Sequence, residues 1–327
     1  MKTLALLAGA AIVAFTSAAQ AAPLIYDYHF VVSQADPTLT QALGINNAGT
    51  IAGFHGVNAQ GFTQTQGGPI VSENFPGSVM SMVTAINSAG STAGIFQDAG
   101  GTTHGYTRIG NVFRVVDQPG TVFNQALGIN DANTTVGYFA LDQAAGQMGQ
   151  SAYSQSQGVF TNIDALLPSN MNSQAVGINN AGAVVGFYLP TTGPAASLGF
   201  LDLNGAISTI DPFGSTNTQA LGISNTGEIV GFYTDGNGVQ HGYTDIGGVF
   251  SSIDPPGALN TTINGVNDRG QFVGFFTDAG DNMIGFVATP RASSVPEPGS
   301  LALLGMGLVG IGVARRHTGT VVRMRIG

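Results

Sequence analysis

The 327-residue sequence contains no cysteine, which excludes disulfides, thiolate metal sites and cysteine nucleophiles. It is also poor in charge, since only 8% of its residues are Asp, Glu, Lys or Arg. In the body of the chain Arg108, Arg114, Arg269 and Arg291 stand against seventeen acidic residues. Such a negative surface cannot neutralise phosphates, so the composition excludes nucleic acid as a partner and disfavours anionic membranes.

Apolar residues and glycine are abundant in the sequence. The sequence is 43% hydrophobic and has 49 glycines. A chain of this length buries roughly 70 to 75% of its unfolded surface, so its stability does not depend on disulfides. High apolar content with regularly spaced glycines favours an all-β fold of short strands and tight turns.

Residues 1–21 have the pattern of a secretory signal peptide. Lys2 precedes an apolar stretch that ends in the small-x-small sequence Ala19-Gln20-Ala21. This pattern predicts cleavage between Ala21 and Ala22 and therefore export.

The C-terminal residues 291–327 form a second targeting segment. Pro296, Glu297 and Pro298 precede fourteen apolar residues, and Arg315 and Arg316 follow them. A hydrophobic helix over about 299–314 is shorter than the roughly 20 residues of a comfortable membrane span, so only transient inner-membrane association is expected. The segment resembles the PEP-CTERM sorting signal, although residues 317–327 extend beyond its usual end. The resemblance implies processing by an exosortase and delivery to the surface or extracellular polysaccharide of a Gram-negative bacterium.

Between these segments the motif G-I-N-x-x-G-x-x-x-G-[FY] occurs six times. Its second glycines are 41, 43, 49, 45 and 43 residues apart, a spacing typical of four-stranded propeller blades. The motif predicts two short strands joined by a tight turn that needs a left-handed residue. Asparagine replaces glycine there in the third copy, in agreement with its tolerance of positive φ. The predicted turn residues are Gly49, Gly90, Asn133, Gly182, Gly227 and Gly270.

The two ends of the array predict how it closes. The sixth copy reaches only a third strand, at "MIGFVATP", whereas an unpaired fourth strand stands before the first copy, at residues 28–38. Pairing the two would complete the last blade and hide an edge. We therefore predict a six-bladed propeller over residues 24–290, with an open β-repeat array as the alternative. The repeats also resemble the HAF family of extracellular repeats, which implies export but no defined activity.

Repeated acids and histidines are the candidate site residues. Acids precede the turns after the fourth strands, at Asp36, Asp117, Asp164, Asp211 and Asp254. They fit turn chemistry better than a ring of carboxylates that binds Ca²⁺ or sugar hydroxyls. His104 and His241 occupy one position in two blades, which indicates a structural role. The longest interval, around Asp142, is the best candidate for a specialised loop.

No cofactor is predicted. The loops at residues 235–238 and 278–281 faintly resemble calcium ligands, but they lack the full EF-hand pattern, so hairpin turns are the preferred interpretation. The best functional hypothesis is an exported, non-catalytic module that binds polysaccharide or surface proteins. The alternatives are a polysaccharide lyase or hydrolase with carboxylates at the central mouth, and a purely structural matrix component.

Overall fold

The computed structural model describes residues 25–141, 149–167, 172–191, 193 and 195–291. Residues 26–290 form one compact unit, and residues 1–25 with 291–327 form a second unit, of which only Ile25 and Arg291 are described. The predicted signal peptide with its Ala21–Ala22 cleavage site lies outside the described residues. So do the sorting motif, the hydrophobic helix and the arginine pair.

The compact unit is all-β and consists of six four-stranded antiparallel sheets, which confirms the six-bladed propeller. Blades 1 to 3 contain β2 (Thr40–Ile45), β3 (Thr50–His55), β4 (Gln60–Thr65), β5 (Ile70–Ser72); β6 (Met80–Ile86), β7 (Thr92–Gln97), β8 (Thr103–Ile109), β9 (Val112–Val115); and β10 (Phe123–Ile129), β11 (Thr135–Ala140), β12 (Gln150–Ser156), β13 (Val159–Asn162). Blades 4 to 6 contain β14 (Ser173–Ile178), β15 (Val184–Tyr188), β16 (Leu198–Leu203), β17 (Ala206–Ile210); β18 (Asn217–Ile223), β19 (Ile229–Thr234), β20 (Gln240–Ile246), β21 (Val249–Ile253); and β22 (Asn260–Val266), β23 (Phe272–Thr277), β24 (Met283–Arg291) with β1 (Ile25–Val31).

Blade 6 is built from both ends of the propeller unit, because β1 pairs with β24 in the order β1-β24-β23-β22. This pairing covers what would be an open sheet edge. Tyr26 and Tyr28 fix the strand from one side, with their rings 4.6 Å from that of Phe272 and 5.8 Å from that of Phe286. The strand begins and ends earlier than the predicted residues 28–38, whose second half forms the turn around Asp36 instead.

Two strands have weaker sequence signals than their equivalents. The third strand of blade 3, β12, has Ala152 where the other third strands have glycine. The fourth strand of blade 1, β5, is only three residues long and has no acid directly before its proline-glycine turn. In these two blades the weaker strand is held in place by its pairing with the neighbouring strand, and its own sequence does not carry the repeated motif.

The blades pack around the inner strands β2, β6, β10, β14, β18 and β22, each of which contacts the next around a closed ring. An aromatic side chain in the third strand of every blade is fully buried. These residues are Phe62, Tyr106, Tyr153, Phe200, Tyr243 and Phe286.

Alternation of the strands gives the propeller two distinct faces. Because neighbouring strands are antiparallel, the turns between first and second strands all lie on one face, which we call the asparagine face. The loops between second and third strands, and the connections from each fourth strand to the next blade, lie on the other face, which we call the mouth face. Two short 3₁₀ turns, Asp164–Leu166 and Pro212–Gly214, belong to these connections.

Candidate functional site

The asparagine of the repeated motif holds neighbouring blades together on the asparagine face. Its side-chain Nδ2 donates to the backbone carbonyl of the equivalent residue in the next blade, over 2.9 to 3.2 Å. The donors are Asn46, Asn87, Asn130, Asn179 and Asn267. Ser224 has the equivalent position in blade 5 and has no amide, so the ring lacks the bond from blade 5 to blade 6.

The next residue of the motif forms a second ring of bonds on the same face. The backbone N–H of Ser88 donates to Asp131 Oδ1 at 2.8 Å, and that of Asp131 donates to Asn180 Oδ1 at 2.9 Å. The pattern continues through Asn225 and Asp268 to Asn47, and among the described residues this ring lacks only a bond from Asn47 to Ser88. Asp268 is bonded on both sides, since Asn225 Nδ2 and Asn47 Nδ2 both donate to its Oδ2, at 2.9 and 2.7 Å. The two rings enclose a cavity of only about 70 Å³, so this end of the channel has room for little more than water.

The six predicted turn residues follow the ring-forming residues in the sequence of the motif, and all six have positive φ. The values run from 59° at Asn133 to 87° at Gly227. In five blades the N–H of this residue closes the turn on the carbonyl of the motif asparagine, and in blade 5 it does so on Ser224. These residues therefore shape the turns of the asparagine face.

The opposite end of the channel opens into a much larger cavity, of about 660 Å³, which we call the mouth. This volume is in the range of ligand pockets. A glutamine near the start of the first strand faces it in four blades, and aromatic rings from second strands flank it. These residues are Gln41, Gln125, Gln174, Gln219, Phe187, Phe232 and Phe275. Gln174 pairs directly with Phe187, and Gln219 with Phe232, across antiparallel strands.

Two of the glutamines have side chains that are free to bind a ligand. Gln41 Nε2 contacts Met283 Sδ at 3.3 Å, and Gln174 Nε2 donates to Gln150 Oε1 at 2.7 Å. The side-chain amides of Gln125 and Gln219 make no hydrogen bond to any described residue. Each therefore offers two donors and one acceptor to the cavity. None of the described residues that line the mouth is an acid, a base or a histidine.

Below the mouth the channel narrows to a cavity of about 210 Å³, which we call the chamber. Leu43, Leu127, Val176 and Leu221 form its upper ring, and glycines and isoleucines of the motif lie deeper. The glycines let the inner strands approach each other. A Cβ on Gly222 would stand 2.8 Å from Asn264 O, and one on Gly128 would stand 2.6 Å from Val176 O.

The predicted histidines belong to two separate side-chain groups on the mouth face. His104 Nδ1 lies 2.6 Å from Asp117 Oδ2 and its Nε2 lies 3.5 Å from Asp98 Oδ2. His241 repeats this arrangement with Asp254 and Asp235, at 2.7 and 3.9 Å. The two histidines belong to blades 2 and 5, on opposite sides of the ring. The histidines therefore do not form one site.

The other turn acids also accept hydrogen bonds, from their own connections or from the strands beside them. Asp36 accepts from Thr38 N and Thr38 Oγ1, and Asp211 accepts from Ser215 Oγ at 2.9 Å. Asp164 is buried and accepts from Ala152 N at 3.0 Å and from the Ser173 hydroxyl. Each carboxylate thus fixes a connection between two blades. Asp142 and the rest of residues 142–148 lie outside the described residues.

The loops that faintly resembled calcium sites are turns in which a carboxylate accepts backbone N–H bonds. Asn237 N and Val239 N donate to Asp235 Oδ1, both at 2.9 Å. These bonds, from Val239 above all, hold the pKa of Asp235 below its usual range. Hydrogen bonds from Asn282 and Gly280 do the same to the pKa of Asp278. Among the described residues, no group of three or more His, Asp or Glu is arranged to hold a metal ion.

Comparison with known proteins identifies the C-terminal segment. Residues 294–316 match the model of the PEP-CTERM protein-sorting motif. This motif implies export and sorting to the surface of a Gram-negative bacterium through an exosortase. A search of curated proteins finds no match. In the part of the chain that the structure describes, no helix is long and apolar enough to cross a membrane.

Solved structures resemble the chain at low identity. Virginiamycin B lyase from Staphylococcus aureus is 11% identical with a TM-score of 0.44, covering 80% of this chain and 99% of its own. The fucose-specific lectin from Aleuria aurantia is 11% identical with a TM-score of 0.45, covering 80% and 98%. AofleA from Arthrobotrys oligospora is 10% identical with a TM-score of 0.48, covering 81% and 88%.

The sequence contains one signal for the mouth, in two positions of the repeat that no turn or strand rule explains. Glutamine recurs three residues before the first motif glycine, in "QALGIN", "QAVGIN" and "QALGIS". An aromatic residue also follows the second glycine in five of the six copies. Only the pairing of the strands brings these two positions together at one end of the channel.

Proposed function

We propose that this protein is an exported binding module that holds neutral polysaccharide in the mouth of its propeller without cleaving it. It acts at the cell surface or in the extracellular polysaccharide matrix. The observation that carries the proposal is the lining of the mouth, which combines free carboxamides with aromatic rings and contains no charge among its described residues. Sugar hydroxyls both donate and accept hydrogen bonds, as carboxamides do, and the apolar faces of sugar rings pack on aromatic side chains.

A polysaccharide-active enzyme is the weaker candidate. A glycosidase requires two carboxylates about 5 to 9.5 Å apart beside the bond to be cleaved. The acids of the mouth face are bonded to side chains or backbone of their own and neighbouring segments, and none of them lines the mouth in the described part of the chain. A purely structural matrix protein is also the weaker candidate, because it would leave the free side-chain amides of Gln125 and Gln219 without a hydrogen-bonding partner.

The route to the surface completes the proposal. Residues 1–21 direct export and are removed between Ala21 and Ala22. The helix at about 299–314, with Arg315 and Arg316 behind it, holds the chain in the inner membrane until an exosortase acts at Pro296-Glu297-Pro298. The propeller domain, residues 24–290, is of the HAF repeat type. Surface proteins are the alternative partners.

The test compares two double variants of the protein, each expressed from the full sequence and recovered in its exported form. Gln125→Leu with Gln219→Leu removes the free amides, and we expect its affinity for neutral extracellular polysaccharide from the producing cells to fall at least tenfold. His104→Gln with His241→Gln is the control, because it changes two residues that lie on the mouth face but do not line the mouth. Glutamine is chosen because blade 1 has Gln60 at the equivalent position. It should bind as the wild type does. Equal binding by all three proteins would contradict the assignment of the mouth.

A further inference from the structure

One residue breaks the symmetry of the aliphatic ring between the mouth and the chamber. Leucine or valine occupies this position in four blades, threonine in blade 2 and Asn264 in blade 6. Asn264 lines both cavities, whereas Thr84 lines only the chamber. The ligand therefore meets one amide among aliphatic side chains at the border of the two cavities.

The two polar residues of the ring differ in the atoms that they leave free. Thr84 Oγ1 lies 2.8 Å from Ala126 O and 3.1 Å from Ala93 O, so its proton is already used. Asn264 Nδ2 donates to Ala42 O at 3.0 Å, across the seam to blade 1. Asn264 Oδ1 has no partner among the described residues. The bond through Nδ2 fixes the amide, so Oδ1 stands ready to accept a hydrogen bond from a ligand.

The sizes of the cavities restrict which part of a ligand can enter. The mouth, at about 660 Å³, is in the range of ligand pockets, whereas the chamber, at about 210 Å³, is below it. The chamber has aliphatic walls and so favours an apolar group. A small apolar substituent attached through an N–H group matches both the chamber and the acceptor at its entrance.

We propose that the polysaccharide recognised by the mouth carries N-acylated amino sugars, such as N-acetylhexosamine. The sugar ring lies in the mouth, its acyl methyl group enters the chamber, and its amide N–H donates to Asn264 Oδ1. The inference rests on the proposed function and names the substrate class of the same site. An O-acyl sugar lacks the N–H, and an unsubstituted sugar would place a hydroxyl among the aliphatic side chains at a cost in free energy.

Two oligosaccharides that differ only at C2 provide the test. Triacetylchitotriose carries N-acetyl groups, and cellotriose has hydroxyls on the same linkage. We expect the exported protein to bind triacetylchitotriose about tenfold more tightly than cellotriose, as measured by titration calorimetry. Asn264→Leu introduces the residue found in blades 1, 3 and 5, and it should bring the ratio of the two affinities close to one. Asn179→Ser removes an inter-blade bond on the opposite face and should keep the tenfold ratio.

The outcomes separate this inference from the proposed function. Equal binding of the two probes by the wild type, or a preference that survives Asn264→Leu, overturns the N-acyl inference and leaves saccharide binding in place. Equal loss of both probes in Asn264→Leu assigns a structural role to Asn264 and also overturns the inference. If the wild type binds neither of the two probes nor the polysaccharide of the producing cells, the proposed function itself is contradicted.

Discussion

Asn46 and its equivalents combine two contacts in one side chain. Oδ1 of Asn46 accepts from Ala48 N and Thr50 N, both at 3.0 Å, which shapes the turn within the blade. Nδ2 reaches the carbonyl of Asn87 in the next blade. Aspartate could not donate this bond, and serine replaces only the first contact, as Ser224 Oγ does by accepting from Glu228 N. The asparagine therefore couples the local turn to the closure of the ring.

Exchanging serine and asparagine between blades 4 and 5 tests this double role. Ser224→Asn adds a donor opposite the carbonyl of Asn267, and we expect the free energy of unfolding to rise by about 1 kcal/mol. Asn179→Ser removes the equivalent bond to Ser224 O and should lower it by a similar amount. In a domain of this size each change shifts Tm by roughly 2 to 4 °C. Calorimetric Tm values that move in the same direction for both variants would contradict the account.

At the residue scale the sequence predicted the turns better than the mouth. A residue in the left-handed region is most often glycine, and asparagine is among the other residues that tolerate it best, so Gly49 and Asn133 could be recognised from local sequence alone. Gln125 and Gln219 follow no such local rule. Glutamine fits many environments, and its position at the mouth depends on strand pairing and on the ring, which no single repeat encodes.

The seams between blades are the next level of organisation. Asp268 lies in blade 6, the blade that contains strands from both ends of the propeller unit. Its carboxylate accepts hydrogen bonds from Asn225 in blade 5 and from Asn47 in blade 1. Partial burial would raise the pKa of Asp268, but the hydrogen bonds from Asn225 and Asn47 outweigh it and hold the pKa below its usual value. The ionised form is therefore the one that the folded ring prefers.

This preference predicts acid sensitivity of the ring. A group with a lowered folded-state pKa stabilises the fold above its unfolded pKa, and this stabilisation disappears as the pH falls through the folded pKa. Asp268→Asn should unfold more easily than the wild type at pH 7, by about 1 kcal/mol at this exposed site. The difference should begin to shrink below about pH 4 and close as the pH falls through the lowered pKa of Asp268.

Asp281→Asn is the matched control, because it removes an exposed charge of the same sign outside the ring. Its φ of 60° suits asparagine as well as aspartate. Urea midpoints measured for the three proteins between about pH 2.5 and pH 7 decide the matter. A wild-type advantage over Asp268→Asn that persists at the lowest pH would show that the carboxylate charge is not its cause.

At the scale of strands, the repeat predicted the blades but not the weaker elements. Five third strands share a glycine that Ala152 replaces in β12, and β5 is too short for a clear pattern. The closing strand was recognised because the sixth copy lacked a fourth strand. Its bounds differed from the prediction, since pairing with β24 sets the register and the sequence of β1 alone does not.

At the scale of the whole molecule, the sorting motif and the propeller have separate tasks: the motif directs sorting, and the propeller, in the proposed function, binds the ligand. The match over residues 294–316 implies exosortase-dependent sorting. Replacing Pro296, Glu297 and Pro298 with alanine should leave the chain at its unprocessed size in the inner membrane. Fractionation and immunoblotting of the producing cells check this expectation. The control, Gln125→Leu with Gln219→Leu, should reach the surface normally; retention of both proteins, or of neither, contradicts the separation of the two tasks.

The neutral mouth also predicts how binding depends on pH. Because none of the described lining residues titrates, affinity for neutral polysaccharide should stay constant between about pH 5 and pH 9. A catalytic pair of carboxylates would instead produce activity that rises and falls with their ionisation. Affinity measured across this range thus separates a binding module from a hydrolase. A bell-shaped profile would contradict the neutral mouth.

The most direct test of the central claim incubates the exported protein with neutral extracellular polysaccharide from the producing cells. Co-sedimentation and the appearance of new sugar ends are measured in the same samples. The account predicts saturable co-sedimentation without new ends, in line with a mouth that offers amides and aromatic rings but no carboxylate pair. New sugar ends would contradict the non-catalytic claim, and the absence of saturable binding would contradict the assignment of the mouth as a saccharide site.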